Sequence, residues 1–336
     1  MFFWVAILIV LFILSKLRYN SYIYWVSIII LVIIAGFRDE SIGTDTSSYI
    51  QAFEAAIDGA NWWEKDFGFF IFNEIIASFT HSPNVFLLCL AFLTLFFTSI
   101  AFKKYSNNPQ QSLFIYYGMY AYLMSLNICR QYLAIAIVLL AYTFIDNRKI
   151  ISACLIIIAS FIHFSAIFTL PLLGISHIKL NNKYFIFISI IISLLIGLMN
   201  VVGYIQIFAN RYGSYLDQDS QHLYRDDITL LLILSILFSI LFLYFYMMSG
   251  KNLKNNSLFK IFYIGVLLNN IMFQLDLGTR LSLYFTITQT LFLPYFFSKK
   301  YQYTQWIISL YLFAYCIIML LRGSAEVYPY KSILFT

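Results

Sequence analysis

Residues 28–49 read IIILVIIAGFRDESIGTDTSSY, and the change of character at Gly36 decides what kind of protein this is. Ile28 to Ala35 is unbroken hydrocarbon of the sort that belongs inside a bilayer. Arg38, Asp39, Glu40 and Asp45 follow at once. Charges are costly in hydrocarbon, so these must sit where water or a charged ligand meets the membrane. Gly43 lets the chain turn where a Cβ would obstruct, and Thr44 and Asp45 then offer a hydroxyl and a carboxylate side by side. A solvated loop tip accounts for most short charged runs. It does not call for arginine, glycine, threonine and aspartate together, which makes the stretch a candidate site.

Composition extends that conclusion to the whole chain. The 336 residues are 62% hydrophobic, 20% aromatic and 11% charged, and the mean hydropathy is +0.82. A soluble domain of this length does not have that balance, so the expected fold class is an all-α polytopic membrane protein, a single integral membrane domain over residues 1–336. The formal net charge of +6 would invite a nucleic-acid partner in a soluble protein. Here the lysines lie at the ends of apolar runs, where they set topology, and no nucleic acid is expected. Cys89, Cys129, Cys154 and Cys316 lie in or against apolar segments without C-x-x-C spacing, which suggests neither a disulfide framework nor a zinc site. There is no H-E-x-x-H, Walker or dinucleotide motif, which argues against a metalloprotease, an ATPase and a nicotinamide enzyme.

Lys16 and Arg18 follow the apolar residues 1–15 instead of preceding them, so this segment reads as a retained first helix with its N-terminus outside. Residues 21–36 bring the chain to the outer face. There they deliver an extracytoplasmic loop, 36–82, with Trp62 and Trp63 suited to the interface. Its apolar segment from Phe67 to Thr80 is about 20 Å long as a helix against a hydrocarbon core of about 30 Å, so it is interfacial or re-entrant. Further spans are expected near 83–102, 111–127, 130–146, 184–208, 228–248, 258–277, 281–298 and 303–321. Residues 150–176 form a short two-limbed hairpin with His163 at its turn, which keeps Arg148, Lys149, Lys179 and Lys183 on one side. About twelve segments result, with both termini outside and a second extracytoplasmic loop at 209–227. Thirteen Lys and Arg then fall inside with one acid, Asp146, against eight basic and fourteen acidic residues outside. That is the positive-inside asymmetry.

Arginine and lysine sort differently. Eleven of the thirteen lysines are inside, while six of the eight arginines (Arg38, Arg130, Arg211, Arg225, Arg280, Arg322) are outside. Topology needs only positive charge, whereas a planar guanidinium grips phosphate or carboxylate in two places. An arginine-rich outer rim suits a lipid phosphate or pyrophosphate. Arg211 and Arg225 lie among Asp217, Asp219, Asp226 and Asp227 and read as paired with them, and Arg322 reads as a span-end anchor. Arg130 and Gln131 open a helix whose N-terminus adds its own pull on anions. Arg280 is one turn from Asp276, which fits an ordinary pair as well as a site. His163, in FIHFSAIF, fits packing or chemistry equally.

Taken in order, these residues carry a resemblance. The R-x4-G-T-D-x3-Y of Arg38, Gly43, Thr44, Asp45 and Tyr49, the N-x-x-R-Q-x-x-A of Asn127, Arg130, Gln131 and Ala134, the H-x-S-A of His163, Ser165 and Ala166, Arg280-Leu281 before Tyr284 and Phe285, and Pro329-Tyr330 resemble the EpsG family of Wzy-type polysaccharide polymerases. The resemblance implies a multi-spanning, GT-C-like glycosyltransferase in the bacterial plasma membrane. Its partners would be undecaprenyl-pyrophosphate-linked oligosaccharides as donor and acceptor, the bilayer, and a chain-length regulator. It implies no nucleotide sugar, metal or other cofactor. The product would be an O-antigen, a capsule or an exopolysaccharide.

The chemistry is compatible. A pyrophosphate leaving group gains charge as the glycosidic bond breaks, so arginines placed on it favour the transition state over the ground state. The acceptor hydroxyl must lose a proton to a nearby carboxylate or imidazole. Asp45 and His163 are the candidate catalytic residues, and Arg38, Gly43, Thr44, Tyr49, Arg130, Gln131 and Arg280 the candidate ligands for pyrophosphate and glycan. A lipid-linked oligosaccharide flippase or other transporter, and a glycan ligase of nearly the same chemistry, are the alternatives. Transporters usually show repeated halves and midplane charges; no repeat is seen here.

Overall fold

The computed structural model describes residues 1–60, 66–200 and 228–333. Trp62, Trp63 and the 209–227 loop lie outside the described residues. The described residues are all-α, with sixteen α-helices and several 3-10 segments. Among them Pro83–Tyr105, Ile228–Met248 and Gln302–Leu321 are long and apolar enough to cross a membrane, and eight more apolar helices run from 10 to 17 residues. The chain forms two compact units, Met1–Leu170 with Gln289–Thr336, and Pro171–Thr288.

In the first unit come α1 (Phe2–Lys16), α2 (Ser21–Gly36), α3 (Thr46–Ile57), α4 (Phe67–Ala77), α5 (Pro83–Tyr105), α6 (Pro109–Gly118), α7 (Ala121–Asn127), α8 (Cys129–Tyr142) and α9 (Lys149–Ile162). Their starts follow from short-range chemistry. Asn20 Oδ1 accepts the Tyr22 and Ile23 N–H groups at 2.8 and 3.2 Å, and Asn108 Oδ1 accepts the Gln110 N–H at 3.1 Å. Pro83 and Pro109 open α5 and α6, where a missing N–H costs nothing. Every residue of α8 except Arg130 is buried. A helix apolar on all sides needs neighbours on all sides, and α8 packs on both α5 and α9.

The ends of this unit differ in charge. At one end Lys103 Nζ lies 5.2 Å from the Trp25 ring and Lys104 Nζ 4.2 Å from the Phe144 ring. From there α2 runs 16 residues, about 24 Å, to the Gly36 loop. The α8 helix starts at the loop end with Arg130 and finishes near Phe144; α9 returns from Arg148 to His163. The break expected at His163 is present, but the limb after it, Phe164–His177, is a 3-10 helix containing Pro171. Proline supplies no N–H to an α-helical ladder.

Two expected spans are interrupted. Residues 111–127 divide at Tyr120, which takes left-handed φ 64° and separates α6 from α7; its hydroxyl donates to the Ser324 carbonyl at 2.7 Å. Residues 281–298 divide into the end of Asp276–Thr286, a short helix Gln289–Phe292 and a 3-10 turn Leu293–Phe297 begun by Pro294. The segment 36–82 carries two helices, α3 and α4, where the sequence shows one.

The second unit contains α10 (Lys183–Leu198) and the helices Ile228–Met248, Lys251–Asn255, Ser257–Met272 and Asp276–Thr286. Asn270 Nδ2 donates to Ser193 Oγ at 3.1 Å and Ser239 Oγ at 2.9 Å, and Asn269 Nδ2 to Ser235 Oγ at 3.2 Å. Small hydroxyls and amides bind apolar helices together where hydrophobicity cannot.

Candidate functional site

The Gly36–Tyr49 stretch is held from two directions. On one side lies the tail. Arg38 and Ser332 form an antiparallel bridge, the Asp39 N–H donates to the Lys331 carbonyl at 3.1 Å, and the Ile333 N–H to the Phe37 carbonyl at 3.2 Å. Further along, the Gly43 N–H donates to the Glu326 carbonyl at 3.2 Å. On the other side Asn127, the last residue of α7, accepts at Oδ1 from Thr44 Oγ1 at 2.8 Å and from the Asp45 N–H at 2.9 Å. Gly43 has φ +89°, and a Cβ there would stand 2.8 Å from the Leu126 carbonyl oxygen. Only glycine accepts both conditions.

Arg38 is 2% exposed. Its guanidinium donates to the Ala35 carbonyl, to Cys129 Sγ at 3.2 Å and to Thr46 Oγ1 at 3.5 Å, and Nε has no partner. It lines a cavity with Leu90, Thr94, Tyr122 and Ser125. Among the described residues no carboxylate pairs with it. A desolvated cation without a counter-charge is expensive to keep.

A second cluster centres on Asp66, just ahead of α4. Its Oδ2 lies 2.9 Å from Arg130 Nη1 and 3.5 Å from His163 Nδ1, and its Oδ1 accepts the Phe164 N–H at 3.0 Å. The contact permitting this is close: a Cβ at Gly68 would meet the Phe161 backbone at 2.9 Å, so α4 lies directly on the end of α9. Burial pushes the Asp66 carboxyl up, but the polar contact with His163, the Arg130 charge and the Phe164 N–H outweigh it and hold the group below its ordinary value. The Arg130 guanidinium lies 5.7 Å from the Phe69 ring, and Tyr49 meets that ring edge-on at 5.9 Å. Burial pushes the Tyr49 phenol up; the Arg130 charge opposes this and the Asp45 charge adds to it.

The profile of the EpsG family matches residues 21–332. The chain belongs to the EpsG family. No curated protein and no solved structure matches it significantly. The family is linked to exopolysaccharide biosynthesis, and the many apolar helices of this EpsG-family protein are those of a multi-pass membrane protein. The matched range takes in the loop, Asn127, both clusters and the tail to Ser332.

Within the first unit of this EpsG-family protein, Asp45, Tyr49, Arg130 and His163 come to one end, although His163 stands 114 positions from Tyr49 in sequence (163 − 49). Asp45 is part-buried at the start of α3 and Thr44 is exposed. Gln131 is buried in the first turn of α8. Arg280 belongs to the second unit, on Asp276–Thr286. The residue that sequence reasoning missed is Asp66. Its one local signal is an acid immediately before an apolar helix, ordinarily an N-cap. Among the described residues no group of three or more His, Cys, Asp or Glu could hold a metal ion.

Proposed function

We propose that this EpsG-family protein is a polysaccharide polymerase, a glycosyltransferase that moves a growing glycan from an undecaprenyl pyrophosphate carrier onto the next lipid-linked repeat unit. It works at the outer face of the bacterial plasma membrane, on a GT-C-like scaffold of about twelve spans. The observation that carries this reading is the buried Arg38 guanidinium, without a carboxylate partner among the described residues, in the same unit as Asp45, Arg130 and His163. An anion supplied by a ligand balances such a cation, and a pyrophosphate fits its planar donors.

The acceptor oxygen bonds to the anomeric carbon while the carbon–oxygen bond to pyrophosphate breaks and its electron pair leaves with the phosphate oxygen. Arg38, with the N-terminus of α8 at Arg130 and Gln131, stabilises that developing charge. Gly43, Thr44 and Tyr49 shape the glycan side of the site. Asp45 or His163 takes the hydroxyl proton. The deciding experiment incubates purified protein with a defined undecaprenyl-pyrophosphate-linked repeat unit. A ladder of lengths is expected. One-step transfer to a different acceptor identifies a ligase, and lipid translocation without chemistry a flippase.

A further inference from the structure

We infer that Asp66 is a positioning residue for His163: its carboxylate holds the imidazole at Nδ1 in one tautomer and leaves Nε2 as the nitrogen that takes the acceptor's proton. This rests on the glycosyl transfer proposed above for its activity readout.

Asp66 occupies the N-cap position of α4, where an aspartate ordinarily accepts backbone N–H groups of its own helix. It makes no such bond. Its carboxylate turns instead toward α8 and the end of α9: Oδ1 accepts the Phe164 N–H, while Oδ2 lies 2.9 Å from Arg130 Nη1 and 3.5 Å from His163 Nδ1, a nitrogen that has no hydrogen bond at shorter range among the described residues. With 5% exposure the group lies in a weakly screening environment, which strengthens these contacts. His163 is fixed from its backbone as well: its N–H donates to the Ala159 carbonyl at 2.9 Å, and its carbonyl accepts the Ala166 N–H at 3.0 Å.

A neutral imidazole carries one donor and one acceptor nitrogen. A carboxylate facing Nδ1 favours the proton there, which places the lone pair on Nε2. Among the described residues the charged groups at the ring are Asp66, ahead of α4, and behind it Arg130 of α8. Arg130 keeps Asp66 ionised, so Asp66 orients the ring and offsets the imidazolium that forms, and takes no proton itself. In the transfer step the hydroxyl proton passes to Nε2 as the new glycosidic bond forms and pyrophosphate departs.

The test is Asp66→Asn, which keeps the size and the acceptor for the Phe164 N–H but removes the charge. Two measurements are made on the full-length protein: turnover of a defined lipid-linked repeat unit across pH, and the 15N spectrum of histidine-labelled protein, with His163 assigned through His163→Gln. The expected result is a fall in kcat of about 10²-fold with KM changed by no more than about threefold. The rising limb of the pH profile moves toward acid, and a protonated Nδ1 in the parent becomes a tautomer mixture in the variant. A wild-type rate and pH limb in Asp66→Asn overturns the proposal, as does a His163 spectrum identical in the two proteins. If Asp66→Asn does not fold, Asp66→Glu decides: retained charge restores part of kcat with the parental pH limb, and complete loss of turnover in folded protein overturns it. Absence of any glycan transfer by the wild-type protein defeats the polymerase reading separately, and the 15N spectrum then decides the hold on Nδ1 alone.

Discussion

The Asp45 N–H donates to Asn127 Oδ1 at 2.9 Å, across 82 positions of sequence, and Thr44 shares the same acceptor at 2.8 Å. One amide oxygen at the end of α7 thus sets where the candidate carboxylate stands. Asn127→Ala leaves both donors without that acceptor. Each lost bond is worth about 1 kcal/mol, with more for a donor left unsatisfied. The expected outcome is a modest fall in thermal stability and faster thiol labelling of Thr44→Cys. Turnover is expected to fall about tenfold or more, because a site displaced by about an ångström loses its reactive geometry.

Arg38→Lys keeps the charge and loses the planar fork. If the guanidinium grips pyrophosphate, Lys is nearly as harmful as Ala at this position, and the same holds at Arg280. The measurement is ladder formation per amount of folded, extracted protein. Full turnover in either Lys variant reduces that arginine to charge balance.

Acid should loosen the joint between α4, α8 and α9. The Asp66 carboxyl is held below its ordinary value of 3.8, so the folded protein binds its proton less readily than the unfolded chain does. Its contribution to stability is therefore complete above about pH 4 and lost as pH falls through the depressed value. Thermal unfolding in detergent should separate wild type from Asp66→Asn at pH 7, by up to about 3–5 kcal/mol for a broken buried pair. That gap should close in strong acid. A gap that persists below pH 2 ascribes the loss to packing.

Asp45→Asn preserves size and most hydrogen bonding but removes a proton acceptor. If Asp45 is the base, polymerisation falls about 10²-fold or more while lipid-linked substrate still binds, and His163→Gln shows the same split if the imidazole is the base. Parallel turnover and binding measurements distinguish them. Near-normal turnover in both variants leaves the arginines as the main catalytic device.

Much of this was legible because a polar residue stands out in a chain so apolar. Arg38, Asp45, Arg130 and His163 announce themselves against hydrocarbon, and the first unit gathers three of them at one end. Asp66 was illegible for the opposite reason. It follows Glu64 and Lys65 as one more loop charge, and its partner at Phe164 is 98 positions away. The break at Tyr120 was hidden too, because an aromatic residue rarely adopts positive φ and hydropathy stays high through the elbow. What fixes that break is a hydroxyl reaching Ser324, 204 positions on. The burial of Arg38 was likewise beyond a sequence reading that placed it on an outer rim, since Cys129 and Thr46 enclose it from segments the chain brings together only on folding.

The bridge between Arg38 and Ser332 also sets a calendar. Phe37 and Ser332 are 295 positions apart, so the ribosome makes the loop well before its backbone partners. Throughout translation the segment that carries Asp45 lacks half of its clamp, and the site matures only when residues 326–333 have emerged and folded back. The geometry around Asp45 is thus a property of the loop and the tail together and not of the loop alone.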